Sequence, residues 1–191
     1  MPRPGDLARE AAEDVFFGQV VMIWARWAMI AAAAVVFLWN TGDVGSLTGR
    51  VLLLAGLMAV NFFLHGRYLV ERPANRGLIL VASVADVALI AAAVALWGGF
   101  ESQLFVLLYP VVFAFALVFP PRFTAALTAV AAALYVGAVA AFDLGWAADV
   151  QLVKVLLVRL LTLGAVGGLG TYYWRIQRDR RRAALSAALG R

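Results

Sequence analysis

Six hydrophobic stretches, each of roughly 17 to 25 residues, follow one another along this chain and use up nearly all of it. A ~30 Å hydrocarbon core takes about 20 apolar residues to cross at 1.5 Å of helical rise per residue, so each stretch has the length of a membrane-spanning helix. The expected fold class is all-α: a polytopic bundle of about six transmembrane helices with no room for a second folded domain. Composition agrees, because 64% of the 191 residues are hydrophobic and 14% charged, where a soluble domain is about half apolar and a quarter charged. The first stretch is expected to remain in the mature protein. Acidic Asp6, Glu10, Glu13 and Asp14 precede it, and no small-residue cleavage site closes it.

Punctuation sets the boundaries. The first helix is expected from Phe16 to Asn40, ended by Thr41-Gly42-Asp43 with Gly45 and Ser46 continuing the loop. The second covers Val51 to Leu64 and leads into a basic connection from His65-Gly66-Arg67 through Arg72-Pro73. The third runs from Gly77 to Trp97 and breaks at Gly98-Gly99. The fourth spans Gln103 to Phe119, carries a kink at Pro110, and stops at Pro120-Pro121-Arg122, where two prolines cannot continue a helix. The alanine-rich fifth extends from Phe123 to Phe142, and the sixth from Val150 to Trp174. Three regions result: a segment over residues 1–15, the six-helix domain over 16–174, and a basic tail over 175–191 that continues the last helix.

Lys and Arg in short loops are retained in the cytoplasm, so their distribution sets orientation. One face holds Arg3, Arg9, Arg67, Arg72, Arg76, Arg122, Arg175, Arg178, Arg180, Arg181, Arg182 and Arg191. The other has Arg50 and, near its boundary, Lys154, together with acidic Asp43, Glu101, Asp143 and Asp149. Both termini are therefore expected in the cytoplasm, and the net charge of +5 is expected to face anionic lipid rather than nucleic acid. Trp24, Trp27, Trp39, Trp97, Trp146, Tyr172, Tyr173 and Trp174 fall mostly near the boundaries, as an aromatic belt does.

Catalytic chemistry has little to work with. Cysteine is absent, which excludes disulfides and thiolate chemistry, and the single histidine, His65, cannot build a multi-histidine metal centre. No glycine-rich phosphate loop or G-x-S-x-G elbow occurs. The chain is expected to be no enzyme and to carry no metal. What does require explanation is Asp86, midway along the third helix and roughly 15 Å above Arg76 by helical rise, because a carboxylate at that depth costs several kcal/mol unless paired, protonated or hydrated. Arg26 in the first helix and Arg159 in the sixth are its candidate partners, with Arg26 nearer in depth and Asn61 and Ser83 as polar neighbours. The pairing reads either as a structural ion pair that fixes helix order or as a protonation or ligand-sensing switch.

In lipid, helices associate largely by close backbone approach at small residues. Ala129, Ala133, Gly137 and Ala141 recur every fourth residue in the fifth helix. Gly164 and Gly168 form a G-x-x-x-G in the sixth, extended by Gly167 and Gly170. Both stripes read as internal packing or as the contact with a second copy.

The run Asp86-Val87-Ala88-Leu89-Ile90, then Trp97-Gly98-Gly99-Phe100-Glu101-Ser102-Gln103-Leu104-Phe105, then Leu108-Tyr109-Pro110, resembles the six-helix sensor region of bacterial histidine kinases. Arg26-Trp27, Arg159 and Trp174-Arg175 add to the likeness, whereas Gln103 stands where that family usually has proline. The resemblance implies a multi-pass protein of the bacterial inner membrane that senses or regulates without kinase domains of its own. In the redox-responsive branch the Gly-Gly loop is implicated in quinone binding, which would fall here on Gly98, Gly99, Phe100, Glu101, Ser102, Gln103 and Phe105. Implied partners are membrane lipid and either a second copy or another membrane protein. The competing expectation is an accessory subunit of a larger respiratory, photosynthetic or transport complex.

Overall fold

The computed structural model describes residues 4–39, 44–70, 76–142 and 144–189, and among them it is helical apart from short turns, with no strand. Six α-helices alternate in direction: α1 (Pro4–Trp39), α2 (Val44–Leu69), α3 (Arg76–Leu96), α4 (Leu108–Val118), α5 (Pro121–Phe142) and α6 (Val150–Leu189). Three short 3-10 helices, Gly99–Glu101, Gln103–Leu107 and Leu144–Ala148, lie in the connections at one end, called here the loop end. The opposite, basic end carries Arg67, Arg122, Arg175 and Arg178.

Five helices contain runs long and apolar enough to cross a membrane: Val20–Phe37, Leu47–Leu69, Gly77–Leu96, Pro121–Ala141 and Val150–Arg180. This is the build of a multi-pass membrane protein. The expected sixth span differs, because Gln103–Val118 is a shorter apolar run whose first five residues wind as a 3-10 helix. It is also the centre of the molecule. α4 packs against α1, α3, α5 and α6, and buries Leu108, Val111, Val112, Ala114, Phe115 and Ala116. Neighbouring helices cover most of it, leaving Phe113 41% exposed, so it needs less lipid-matched length than they do. Pro110 lies just after the change from 3-10 to α-helix. The ring sits in the first turn of α4, where a missing N–H breaks no α-helical bond.

Other boundaries shift outward. α1 begins at Pro4 instead of Phe16, and α2 takes in Gly45 and Ser46 at its start and His65-Gly66-Arg67 at its end. Both extensions continue a helix already paid for in nucleation, so polar residues add turns cheaply. The turn Thr41-Gly42-Asp43, residues 71–75 and Asp143 lie outside the described residues. α6 runs unbroken into the basic tail, as its sequence leads one to expect.

Inner faces follow heptad-like steps. α1 turns Met22, Arg26, Met29, Ala33 and Phe37 inward, and α6 does the same with Leu156, Leu163, Gly167 and Gly170. Steps of four and three residues keep one stripe facing a neighbour, the geometry of left-handed helix pairs.

Candidate functional site: two arginines in the bundle

Arg26 belongs to the inward stripe of α1, so its side chain is delivered into the bundle and not to lipid. There it meets Asp86 of α3: Arg26 Nη2 donates to Asp86 Oδ1 at 2.6 Å, with the two side chains 3% and 1% exposed. The expected pairing is thus the one formed. Its setting is otherwise sparse. Ser83 donates to the Ile79 carbonyl of its own helix at 2.9 Å and so does not serve Asp86. Asn61, wholly buried on α2, makes no hydrogen bond to the pair, and neither of its amide atoms has a partner among the described residues. Arg26 Nε, Arg26 Nη1 and Asp86 Oδ2 likewise have no partner among the described residues.

Arg159 is not near Asp86. It reaches the connection between α3 and α4, whose shape comes from two glycines: Gly98 at φ 104° and Gly99 at φ 50° occupy the left-handed region that side chains disfavour. A Cβ on Gly98 would also press to 3.3 Å from the Ser102 nitrogen. The turn is closed by the Glu101 N–H donating to the Gly98 carbonyl at 2.9 Å, and the Leu104 N–H donates to Ser102 Oγ at 3.3 Å, which caps the next 3-10 helix. In consequence the Phe100 carbonyl is presented to α6. Arg159 Nη1 donates to that carbonyl at 2.7 Å and to the Tyr135 hydroxyl of α5 at 2.6 Å. Its guanidinium carbon lies 4.7 Å from the Phe100 ring centroid and 4.0 Å from that of Phe105, within range of cation–π attraction. Among the described residues no carboxylate comes within ion-pair distance of Arg159, and the cluster keeps its positive charge.

The loop residues singled out from the sequence therefore divide. Gly98, Gly99 and Ser102 build the turn, and Phe100 and Phe105 are engaged by Arg159, whereas Glu101 and Gln103 are exposed. Tyr135, absent from the sequence-based set, is a full member of the cluster. Its signal was present, since a tyrosine in an alanine-rich membrane helix needs a partner for its hydroxyl.

The small-residue stripes require correction as internal packing. Ala129, Ala133, Gly137 and Ala141 of α5, and Gly164 and Gly168 of α6, lie on the outside of the bundle. Among the described residues, and apart from the helix's own backbone and the adjoining residues, nothing approaches within 4 Å of where a Cβ on Gly137, Gly164 or Gly168 would stand. The close approaches belong to Gly167, where a Cβ would meet Thr128 Oγ1 at 2.8 Å, and to Gly170, where it would meet the Ala116 Cβ at 2.5 Å. Among the aromatics, Trp24 and Trp39 face outward, but Trp97 packs edge-on against Phe37 at 5.9 Å and lies over Gly49. Trp27 meets Phe62 edge-on and points its N–H at His65 Nδ1 over 3.5 Å. No protein-family model, curated protein or solved structure matches the chain.

Proposed function

We propose that this protein is a non-catalytic sensory or regulatory domain of the bacterial inner membrane, crossing it six times with both termini in the cytoplasm. In this reading the Gly98–Phe105 connection receives a lipophilic or redox cue, with quinones as the candidate ligand class, and α6 passes the response to a partner. One observation carries the proposal: Arg159 fastens the connection to a single unbroken helix of 40 residues. At 1.5 Å per residue that helix is about 60 Å long, twice the hydrocarbon core, so a tilt imposed at Arg159 displaces its far end. The test is a pair of spin labels at Gln103→Cys and Asp179→Cys in proteoliposomes. A short-chain quinone should shift their distance distribution, and Arg159→Gln should abolish the shift. An unchanged distribution in the wild-type sequence overturns the reading.

Orientation is tested by impermeant thiol labelling. Gln103→Cys and Ala147→Cys, both at exposed positions, should react from outside the cell and Asp179→Cys should not. The second reading, an accessory subunit of a larger complex, is favoured by two outward small-residue faces, since one symmetric dimer through α6 leaves the α5 face unused. The mass of the particle extracted in mild detergent separates the two: twice the chain supports the sensor, and a single copy among other subunits supports the accessory role.

A further inference from the structure

We infer that Arg159 binds the phosphate of an anionic phospholipid in the leaflet at the loop end. Inside the protein the guanidinium uses a single nitrogen, Nη1, which donates to both the Phe100 carbonyl and the Tyr135 hydroxyl. Nε and Nη2 donate to nothing among the described residues. They are not buried either, since the side chain is half-buried and the enclosed N–H groups without partners belong to other residues. Nε–H and Nη2–H lie side by side, the edge of a guanidinium that takes a phosphate bidentately. Their level in the membrane suits a headgroup. The Phe100 carbonyl follows the 20-residue apolar run Gly77–Leu96 of α3, so the guanidinium tied to it stands at the edge of the hydrocarbon. The Arg159 backbone is nine residues, roughly 14 Å, into α6, and its side chain reaches back from that depth to the boundary. The surface around it is apolar and open, with Val155, Val158 and Leu161 41%, 62% and 72% exposed. An anion dissolved in water would leave that surface uncovered, whereas a phospholipid lays an acyl chain along it. The charge favours anionic headgroups over zwitterionic ones, whose ammonium it repels. Glu101 is exposed, and Asp149 accepts from the Gln151 N–H at 2.7 Å at the start of α6, so neither neutralises Arg159. The inference uses neither the direction in which the termini face nor a response to quinone, so it and the sensory reading can fail separately.

The test uses the full chain in phosphatidylcholine proteoliposomes containing a trace of phosphatidylglycerol with a diazirine near the glycerol end of its acyl chain. Illumination should crosslink it at Val155, Val158 or Thr162, read by peptide mass spectrometry. Unlabelled phosphatidylglycerol should displace these crosslinks at about one-fifth of the mole fraction that added phosphatidylethanolamine needs, the ratio that one basic residue near the surface confers. Equal displacement by the two lipids overturns the proposal, and so does the absence of crosslinks at these positions. Inorganic phosphate in the buffer should displace nothing. If it removes the crosslinks as phosphatidylglycerol does, the ligand is a soluble phosphate and the lipid assignment is wrong. Arg159→Gln should erase the preference between the two lipids at these positions while leaving crosslinks near Arg175 and Arg178 unchanged, and a preference that survives the change also overturns the proposal. Should Arg159→Gln not fold, the displacement ratio in the wild-type sequence decides alone.

Discussion

Two arginines, Arg26 buried and Arg159 half-buried, are held in this bundle by different means. Arg26 lies between α1 and α3 against a carboxylate, so its site is neutral as a whole and is isolated from the surface. Arg159 has no carboxylate at hand and is held by a backbone carbonyl, a phenol and two aromatic faces, which stabilise the guanidinium without cancelling its charge. The contrast teaches what each site can respond to. A neutral ion pair has nothing to gain from an approaching charge, whereas a guanidinium held by dipoles and ring quadrupoles remains open to any group that competes for its donors. The first site joins α1 to α3. The second ties a connection to the longest helix of the chain.

If that contrast is right, the largest effect belongs to breaking the ion pair. Asp86→Leu should cost about 3–5 kcal/mol by leaving Arg26 charged and alone, and adding Arg26→Leu should restore much of the loss. Simple additivity of the two changes in thermal unfolding would mean that the pair is not coupled. Arg159→Met should cost less, about 2 kcal/mol, because its partners are neutral groups that retain other contacts. A cost equal to that of Asp86→Leu would erase the distinction between the sites. Gly98→Ala sharpens it further: forcing a side chain to φ 104° should cost about 1–2 kcal/mol, non-additive with Arg159→Met and additive with Asp86→Leu. Tyr135→Phe should be the smallest, about 0.6 kcal/mol as for interhelical hydrogen bonds in membranes generally, measured by the same unfolding assay.

The ion pair was legible in the sequence because apolar surroundings make any charge conspicuous and helical rise assigns it a depth. Arg26 and Asp86 needed only to be at matching depth on helices that could touch. The Arg159 cluster was only half legible, since the partner groups are a main-chain carbonyl and a phenol, and a carbonyl has no letter of its own. The glycines of α6 show the other limit. Gly164-Gly168 and Gly167-Gly170 are equally plausible as motifs, yet each residue turns the helix by about 100°, so an offset of one position decides which pair faces the bundle. Pattern alone cannot set that rotation; the four and three spacing through Leu156, Leu163, Gly167 and Gly170 does, once α4 is in place to pack against. The same holds for the α5 stripe, because Leu127, Ala131 and Tyr135 on the opposite face outweigh alanines in buried area.

Chain order gives the ion pair a biosynthetic meaning. Arg26 and Asp86 are 60 residues apart, and at about 5–20 residues per second the ribosome needs about 3–12 s to make that stretch. During that interval Arg26 has entered the membrane or its insertion machinery with no counter-charge, and it is Asp86, arriving on the third helix, that ends the wait. Arg159 has the reverse history: Phe100, Phe105 and Tyr135 are all synthesised before it. A slowing of translation between α1 and α3 should therefore expose nascent chains to quality-control proteolysis, while the same delay before α6 should leave them unharmed.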